Sequence, residues 1–221
     1  MGNSQWQQYF DQKASTHGAS VKSSDYFDDT SFFVQRDHIL QWIGPLADKQ
    51  ILDAGCGVGA FSEPWTRDNS VVGVDFSEKS LEFAAGRGLK TLPADLTALP
   101  FAAGSFDLVV CIGVIQLIEK YQPVLAELAR VTKPGGMLLV QTLHQGSLQR
   151  KLLGMVERSK KFDRMYEMVE LRDEYVRLGF ASISFLKQYH PLKAVNSSES
   201  FGGLADHFCT SFAIRGIKNS E

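Results

Sequence analysis

Cysteine, surplus positive charge and long apolar runs are all scarce in this 221-residue chain, and each shortage closes off a class of protein. The three cysteines, Cys56, Cys111 and Cys209, are odd in number and widely spaced, with no Cys-x-x-Cys pair. That argues against a disulfide framework and against a zinc site, and leaves thiols in a reducing cytosol as the expectation. Lys and Arg number 23 against 25 Asp and Glu, a formal net charge of −2. The cationic excess that nucleic acid or an anionic membrane demands is therefore missing. No stretch approaches the roughly 20 apolar residues that cross a bilayer. The segment Met1–Trp6 has no cationic head followed by an apolar core, and Trp6 stands where a myristoylation pattern needs Ser or Thr. The expectation is a cytoplasmic protein with no nucleic-acid partner, no integral membrane association and no metal.

What is present suits a folded α/β domain. The chain is 44% hydrophobic, too apolar for disorder, and its length fits one domain with appendages. Residues 1 to 32 are rich in Gln, Ser, Asp and aromatics and show no sustained periodicity. Apolar residues then recur at helical spacing from Phe33 to Leu46, and Pro45 marks the helix end. From Gln50 onward strands and helices alternate. Strands are expected at Gln50–Ala54, Ser70–Asp75, Leu89–Ala94, Phe106–Ile112 and Met137–Thr142. Helices are expected at Ala60–Arg67, from the Ser77 cap to about Gly86, and at Gln122–Thr132. This alternation argues for a parallel sheet with right-handed crossovers. The last third changes character: Leu148–Tyr175 reads as helical and charged. Ala181–Gln188 and His207–Ile217 then read as an antiparallel hairpin at the sheet edge, joined by a Ser/Gly-rich loop at 196–203.

The sharpest feature is Asp53-Ala54-Gly55-Cys56-Gly57-Val58-Gly59, a glycine turn at the mouth of the first strand. Such a turn lets the backbone approach a ligand closely. Its spacing is G-x-G-x-G, whereas the dinucleotide fingerprint is G-x-G-x-x-G. Asp53 would repel a pyrophosphate seated on the turn and attract ammonium or sulfonium charge. Asp75 ends the second strand, 20 residues after Gly55, where a carboxylate accepts hydrogen bonds from ribose hydroxyls. Asp95 adds a third acid on the same rim. Three carboxylates suit a cationic nucleoside better than an anionic dinucleotide.

On these residues the chain resembles a class I S-adenosylmethionine-dependent methyltransferase, within the small-molecule, type-11 branch that includes quinone-biosynthesis enzymes. The resemblance covers residues 50 to 142 well and the remainder loosely. It implies a Rossmann-like α/β three-layer sandwich whose mostly parallel seven-stranded sheet has one antiparallel strand near the edge. It implies S-adenosyl-L-methionine as cofactor and a small-molecule methyl acceptor. Asp53, Gly55, Cys56, Gly57 and Gly59 correspond to the turn beside the methionine part. Asp75 corresponds to the ribose acid with Phe76 beside the adenosine, Asp95 and Leu96 to the adenine segment, and Cys111 and Ile112 to the end of the fourth strand. Lys133-Pro134-Gly135-Gly136 resembles the turn before the fifth strand. Arg36 would reach the cofactor carboxylate. Many relatives carry Glu-His where this chain has Gln116-Leu117, and the Asn-Pro-Pro-aromatic and Pro-Cys motifs of nucleic-acid methylation are missing.

Residues 1–48 are then expected to form an N-terminal cover and helix, and 49–221 the methyltransferase domain with a helical insertion at 143–178. His144, just past the fifth strand, is the candidate general base; His38, His190 and His207 are weaker. Tyr9, Tyr26 and Phe27 are candidates for a lid. Lys151, Arg158, Lys160, Lys161 and Arg164 form a basic helix face. Two alternatives remain open: a non-catalytic domain on the same fold, and an NAD(P)-dependent oxidoreductase, which Asp53 and the glycine spacing disfavour.

Overall fold

The computed structural model describes residues 3–24, 29–148, 165–189, 194–198 and 204–220. Tyr26, Phe27, His190 and the basic residues Lys151 to Arg164 lie outside them.

Eight strands form one sheet: β1 (Gln50–Ala54), β2 (Ser70–Asp75), β3 (Lys90–Pro93), β4 (Phe106–Ile112), β5 (Thr132–Leu143), β6 (Phe180–Tyr189), β7 (Ala194–Ser198) and β8 (Ser211–Lys218), in the order β3-β2-β1-β4-β5-β8-β6-β7. The first five are mutually parallel, as the buried run of β4 anticipates, because a strand covered on both faces carries apolar residues without alternation. The expected seven-stranded frame is therefore present. The five residues of β7 extend it at the edge and take up part of the stretch expected as loop.

The expected hairpin exists, but β8 lies inside β6. It pairs antiparallel with both β5 and β6, so the last strand of the chain is interior and the penultimate strands lie outward. As a result β6 runs in the same direction as β5. The carboxyl ends of β1, β4, β5 and β6 share one edge with the start of β8.

Helices cover both faces. On one side lie α4 (Tyr121–Val131) and α5 (Met168–Arg177). Tyr121, Val124, Leu125 and Leu128 recur at helical spacing and bury against Val109, Leu138 and Val140. On the other side α2 (Asp29–Ile43) and α3 (Glu78–Gly86) pack Phe32, Ile39, Leu81 and Ala84 over Ile51, Val110 and Leu139. The Ser77 hydroxyl caps α3 by accepting the Ser80 N–H at 3.1 Å.

Two local expectations are corrected. Ala60–Arg67 is a succession of turns with one 3₁₀ segment at Glu63–Trp65, since Pro64 removes an amide donor from so short a stretch. Conversely, α1 (Asn3–His17) forms where no periodicity was evident. Its apolar stripe is thin, Trp6, Phe10 and Ala14 at steps of four. Trp6 stacks on Phe10 within the helix at 5.9 Å, and the helix is fastened from outside, where Phe10 approaches Phe76 and the Ser77 hydroxyl donates to Asp11.

Leu125 has no exposed surface and sits at the centre of the α4 face. Leu125→Ala is expected to lower unfolding free energy by about 2–5 kcal/mol in urea denaturation, the range for an unfilled core cavity.

Candidate ligand site at the carboxyl edge

The site begins where β1 ends. Gly55 and Gly57 adopt left-handed backbone angles, φ +79° and +51°, which a side-chain-bearing residue adopts only with strain. The N–H groups of Gly55 and Cys56 both donate to the Val74 carbonyl, at 2.7 and 3.0 Å, pinning the turn to β2. A Cβ on Gly55 would collide with Val114, and one on Gly57 with the Ser24 hydroxyl. Gly59 has a different task from the one expected of it. A Cβ there would press on Ala84 Cα and Cβ at 3.0 Å, so this glycine lets α3 approach the turn and does not face the cleft.

Beside the turn lies a narrow cleft, partly open to solvent and walled by Asp53, Gly55, Cys56, Ala60, Phe32 and Ile112 among others. Asp53 points from β1 onto the α2 face, level with Gly73 on one side and Val110 on the other. It is almost wholly buried, and the Ser62 hydroxyl donates to it at 2.6 Å. Burial pushes its pKa up to about 7; the Ser62 bond opposes this, and the neighbouring Asp75 carboxyl adds to it. In the absence of a cation this carboxyl therefore titrates near neutral pH.

Asp75, at the end of β2, accepts the Gly57 N–H on Oδ2 and the Ser77 N–H on Oδ1, each at 2.9 Å. Burial raises its pKa, the backbone donors lower it, and Asp11 raises it again. One side chain thus ties the glycine turn to the start of α3, and its remaining lone pairs can take further donors.

The other expected residues separate into two groups. Cys56 and Ile112 wall the cleft, and Arg36 reaches its rim, donating to the Ala60 carbonyl at 3.3 Å while pairing with Asp37. Phe76 follows Asp75 and faces Phe10 of α1. Asp95 lies exposed past β3 and accepts both the N–H and the hydroxyl of Thr97 at 2.8 Å. By contrast, Leu96 and Cys111 are buried in the core on the α4 side, where burial drives the Cys111 thiol pKa far upward. Side chains alternate along β4, so Cys111 points away from the face that Ile112 presents.

His144 is buried immediately beyond β5. Its Nδ1 lies 3.1 Å from the Cys209 carbonyl and its Nε2 3.3 Å from Glu167 Oε2. A carbonyl only accepts, so Nδ1 carries the proton, and Nε2 binds Glu167 when the ring is protonated. Gln116 accepts the Thr142 hydroxyl at 3.0 Å.

Ser62, Val114, Val21, Ser24 and Phe32 also shape the site and are not legible as such in the sequence. They lie in turns, or before β1, and no spacing ties them to Asp53. No group of His, Cys, Asp and Glu suited to a metal ion occurs among the described residues, and no helix there is long and apolar enough to cross a membrane.

Comparison with known proteins fits this geometry. Residues 52–140 match the family described as "Methyltransferase domain". The malonyl-[acyl-carrier protein] O-methyltransferase of Erwinia pyrifoliae is 40% identical over 116 residues, 51% of this chain and 44% of that protein. The demethylmenaquinone methyltransferase of Renibacterium salmoninarum is 36% identical over 105 residues, 46% and 44% of the two chains. The chain thus spans less than half the length of these curated relatives. Among solved structures, an S-adenosylmethionine-dependent methyltransferase of Thermotoga maritima, described as a possible histamine N-methyltransferase, superposes with a TM-score of 0.67 at 24% identity, covering 84% of this chain and 87% of the other. A putative methyltransferase from Haloferax volcanii, solved with its activator, also gives 0.67, at 16% identity over 95% and 97%. At these identities the likeness is one of fold.

The raised pKa of Asp53 has a consequence for stability. The folded protein keeps this proton up to about pH 7, while the unfolded chain releases it near the ordinary carboxylate value of 3.8. The group's contribution is therefore complete below about pH 4 and lost as pH rises through 7. In denaturation midpoints, wild type minus Asp53→Asn should decline by a few kcal/mol between pH 4 and 8; a constant difference would contradict the assignment.

Proposed function

We propose that this chain, which carries a class I methyltransferase domain in residues 52–140, transfers a methyl group from S-adenosylmethionine to a small-molecule acceptor. The observation that carries this reading is the buried Asp53 carboxyl beside a glycine turn held by Asp75. Burial raises this carboxyl's pKa to about 7, so an ammonium that pairs with it favours the ionised form, and that form would repel a pyrophosphate.

The residues fit such a cofactor. The turn at Gly55 and Gly57 has no room for a Cβ and brings backbone against the cleft. Asp53 would neutralise the ammonium and Arg36, at the rim, the carboxylate. Asp75 would accept the ribose hydroxyls with lone pairs that Gly57 and Ser77 leave available. Asp95 would take the adenine amino group. S-adenosylmethionine, when bound, supplies a methyl group on an already activated sulfonium leaving group. The protein's part is positioning and exclusion of water, which Phe32, Ile112 and Phe61 perform with apolar walls. His144, expected as a base, is held between the Cys209 carbonyl and Glu167 on the sheet face opposite the cleft, so it is assigned no proton transfer. Residues 1–48 would act as a cover, with Val21 and Ser24 already on the cleft.

The decisive experiment is mass-spectrometric detection of S-adenosylhomocysteine release over a panel of small acceptors, including malonyl thioesters and quinols. A protein that binds S-adenosylmethionine yet releases no S-adenosylhomocysteine with any acceptor would favour a binding-only domain. In calorimetry, Asp75→Ala is expected to weaken S-adenosylhomocysteine by about tenfold to a hundredfold while the far-ultraviolet dichroism is kept, since two hydroxyl partners are lost. Asp53 must shed its proton to meet an ammonium. Affinity should therefore climb by up to about tenfold per pH unit below pH 7, level off above it, and lose that slope in Asp53→Asn.

A further inference from the structure

The α2 face of the sheet carries a second polar feature, one step along the edge from the cleft. Ile112, a cleft wall, is the register partner of Gln141 on β5. Gln141 in turn lies level with Ala213 on β8, and one step nearer the edge Ser211 of β8 faces Gln188 of β6. Alternation along each strand puts these residues on the face of Leu139, Leu186 and Ala213, beneath α2. Gln35 of α2, one helical turn past the cleft residue Phe32, donates to Gln188 Oε1 at 2.7 Å, and the Ser211 hydroxyl donates to the same oxygen at 3.0 Å.

The two glutamines are 4% and 6% exposed, and each leaves one polar atom unpaired: Oε1 of Gln141 and Nε2 of Gln188. Leaving such atoms unpaired is costly, and an aliphatic side chain would be cheaper for a sheet face of this kind. The pair consists of one acceptor and one donor, uncharged, on a row that continues directly from Ile112. Resting on the methyltransferase reading above, we infer that Gln141 and Gln188 bind the methyl acceptor and set its class. They select a neutral molecule that offers a hydroxyl hydrogen to Gln141 Oε1 and an oxygen lone pair to Gln188 Nε2. A carboxylate is disfavoured because Gln141 would present a carbonyl oxygen to it. The side chain of Arg215, the cation on this face of β8, is committed to the Trp42 carbonyl and ring.

The test uses the full chain saturated with S-adenosylhomocysteine, with hydroquinone and monoethyl malonate as probes in ligand-observed NMR. Hydroquinone should bind about tenfold or more tightly than monoethyl malonate. Gln141→Met and Gln188→Met should each weaken it by about tenfold, with S-adenosylhomocysteine affinity held within about twofold. Gln141→Met should also raise the Tm of the ligand-free protein, since it removes an unpaired buried acceptor, whereas Gln188→Met strands the Gln35 and Ser211 donors and should lower it. A fall in Tm in Gln141→Met would overturn the proposal, because that amide would then serve the fold. Hydroquinone that fails to bind, binds no better than monoethyl malonate, or is indifferent to both substitutions would overturn it equally. Failure of S-adenosylhomocysteine to bind the wild type would instead strike at the methyltransferase reading itself.

Discussion

Asp53 puts a carboxyl group on a sheet face that otherwise carries Ile51, Val71 and Val110, and burial there makes its negative charge expensive. The surroundings answer that cost in two ways. Ser62 donates one hydrogen bond, and the glycine turn leaves a cleft through which a cation can approach. The turn depends on a second carboxyl, Asp75, whose two oxygens hold the Gly57 and Ser77 amides and so join β1, β2 and α3 at one corner. Much of the carboxyl edge follows from these two side chains. Val114 sits where Gly55 has no Cβ, Ser24 where Gly57 has none, and α1 reaches the corner through Asp11 and Ser77.

The two halves of the edge have different chemistry. Near β1 and β2 the polar groups are acids, matched to positive charge. Along β5, β8 and β6 on the same face they are amides and a hydroxyl, matched to neutral polar groups. The opposite face holds Lys187 paired with Asp206 at 2.5 Å and His144 between Cys209 and Glu167, both buried and both internally engaged. A cofactor with charge and an acceptor without it would thus meet at Ile112, where the two halves join.

Much of this was legible in order along the chain. The strand and glycine turn at Gln50–Gly59, the acids at 53 and 75 and the Ser77 cap are local patterns in which a few neighbouring residues carry the physical requirement. Gly59 and Cys111 show where a pattern misleads. Gly59 belongs to the same motif as Gly55 and Gly57, yet its missing Cβ admits Ala84 of α3. Cys111 adjoins a cleft residue but faces the opposite layer, because one step along a strand reverses the side chain. Helix α1 escaped notice for the opposite reason: its stripe of Trp6, Phe10 and Ala14 is too thin to stand out, and contacts with Phe76 and Ser77 supply what the stripe lacks.

Few cysteines, balanced charge and no apolar run of membrane length follow from residue counts, and the order of strands and the glycine turn follow from local periodicity, because both are properties of neighbours in sequence. The protonation of Asp53 is different in kind. It depends on burial by residues such as Val110 and on Ser62, which meet it only once the sheet has closed. The same holds for Gln141 and Gln188, 47 positions apart and set on one face by the insertion of β8 between β5 and β6. Composition and spacing determined that this chain builds a parallel sheet with an acid-rimmed turn. Tertiary packing alone decided which of its polar atoms were left buried without a partner.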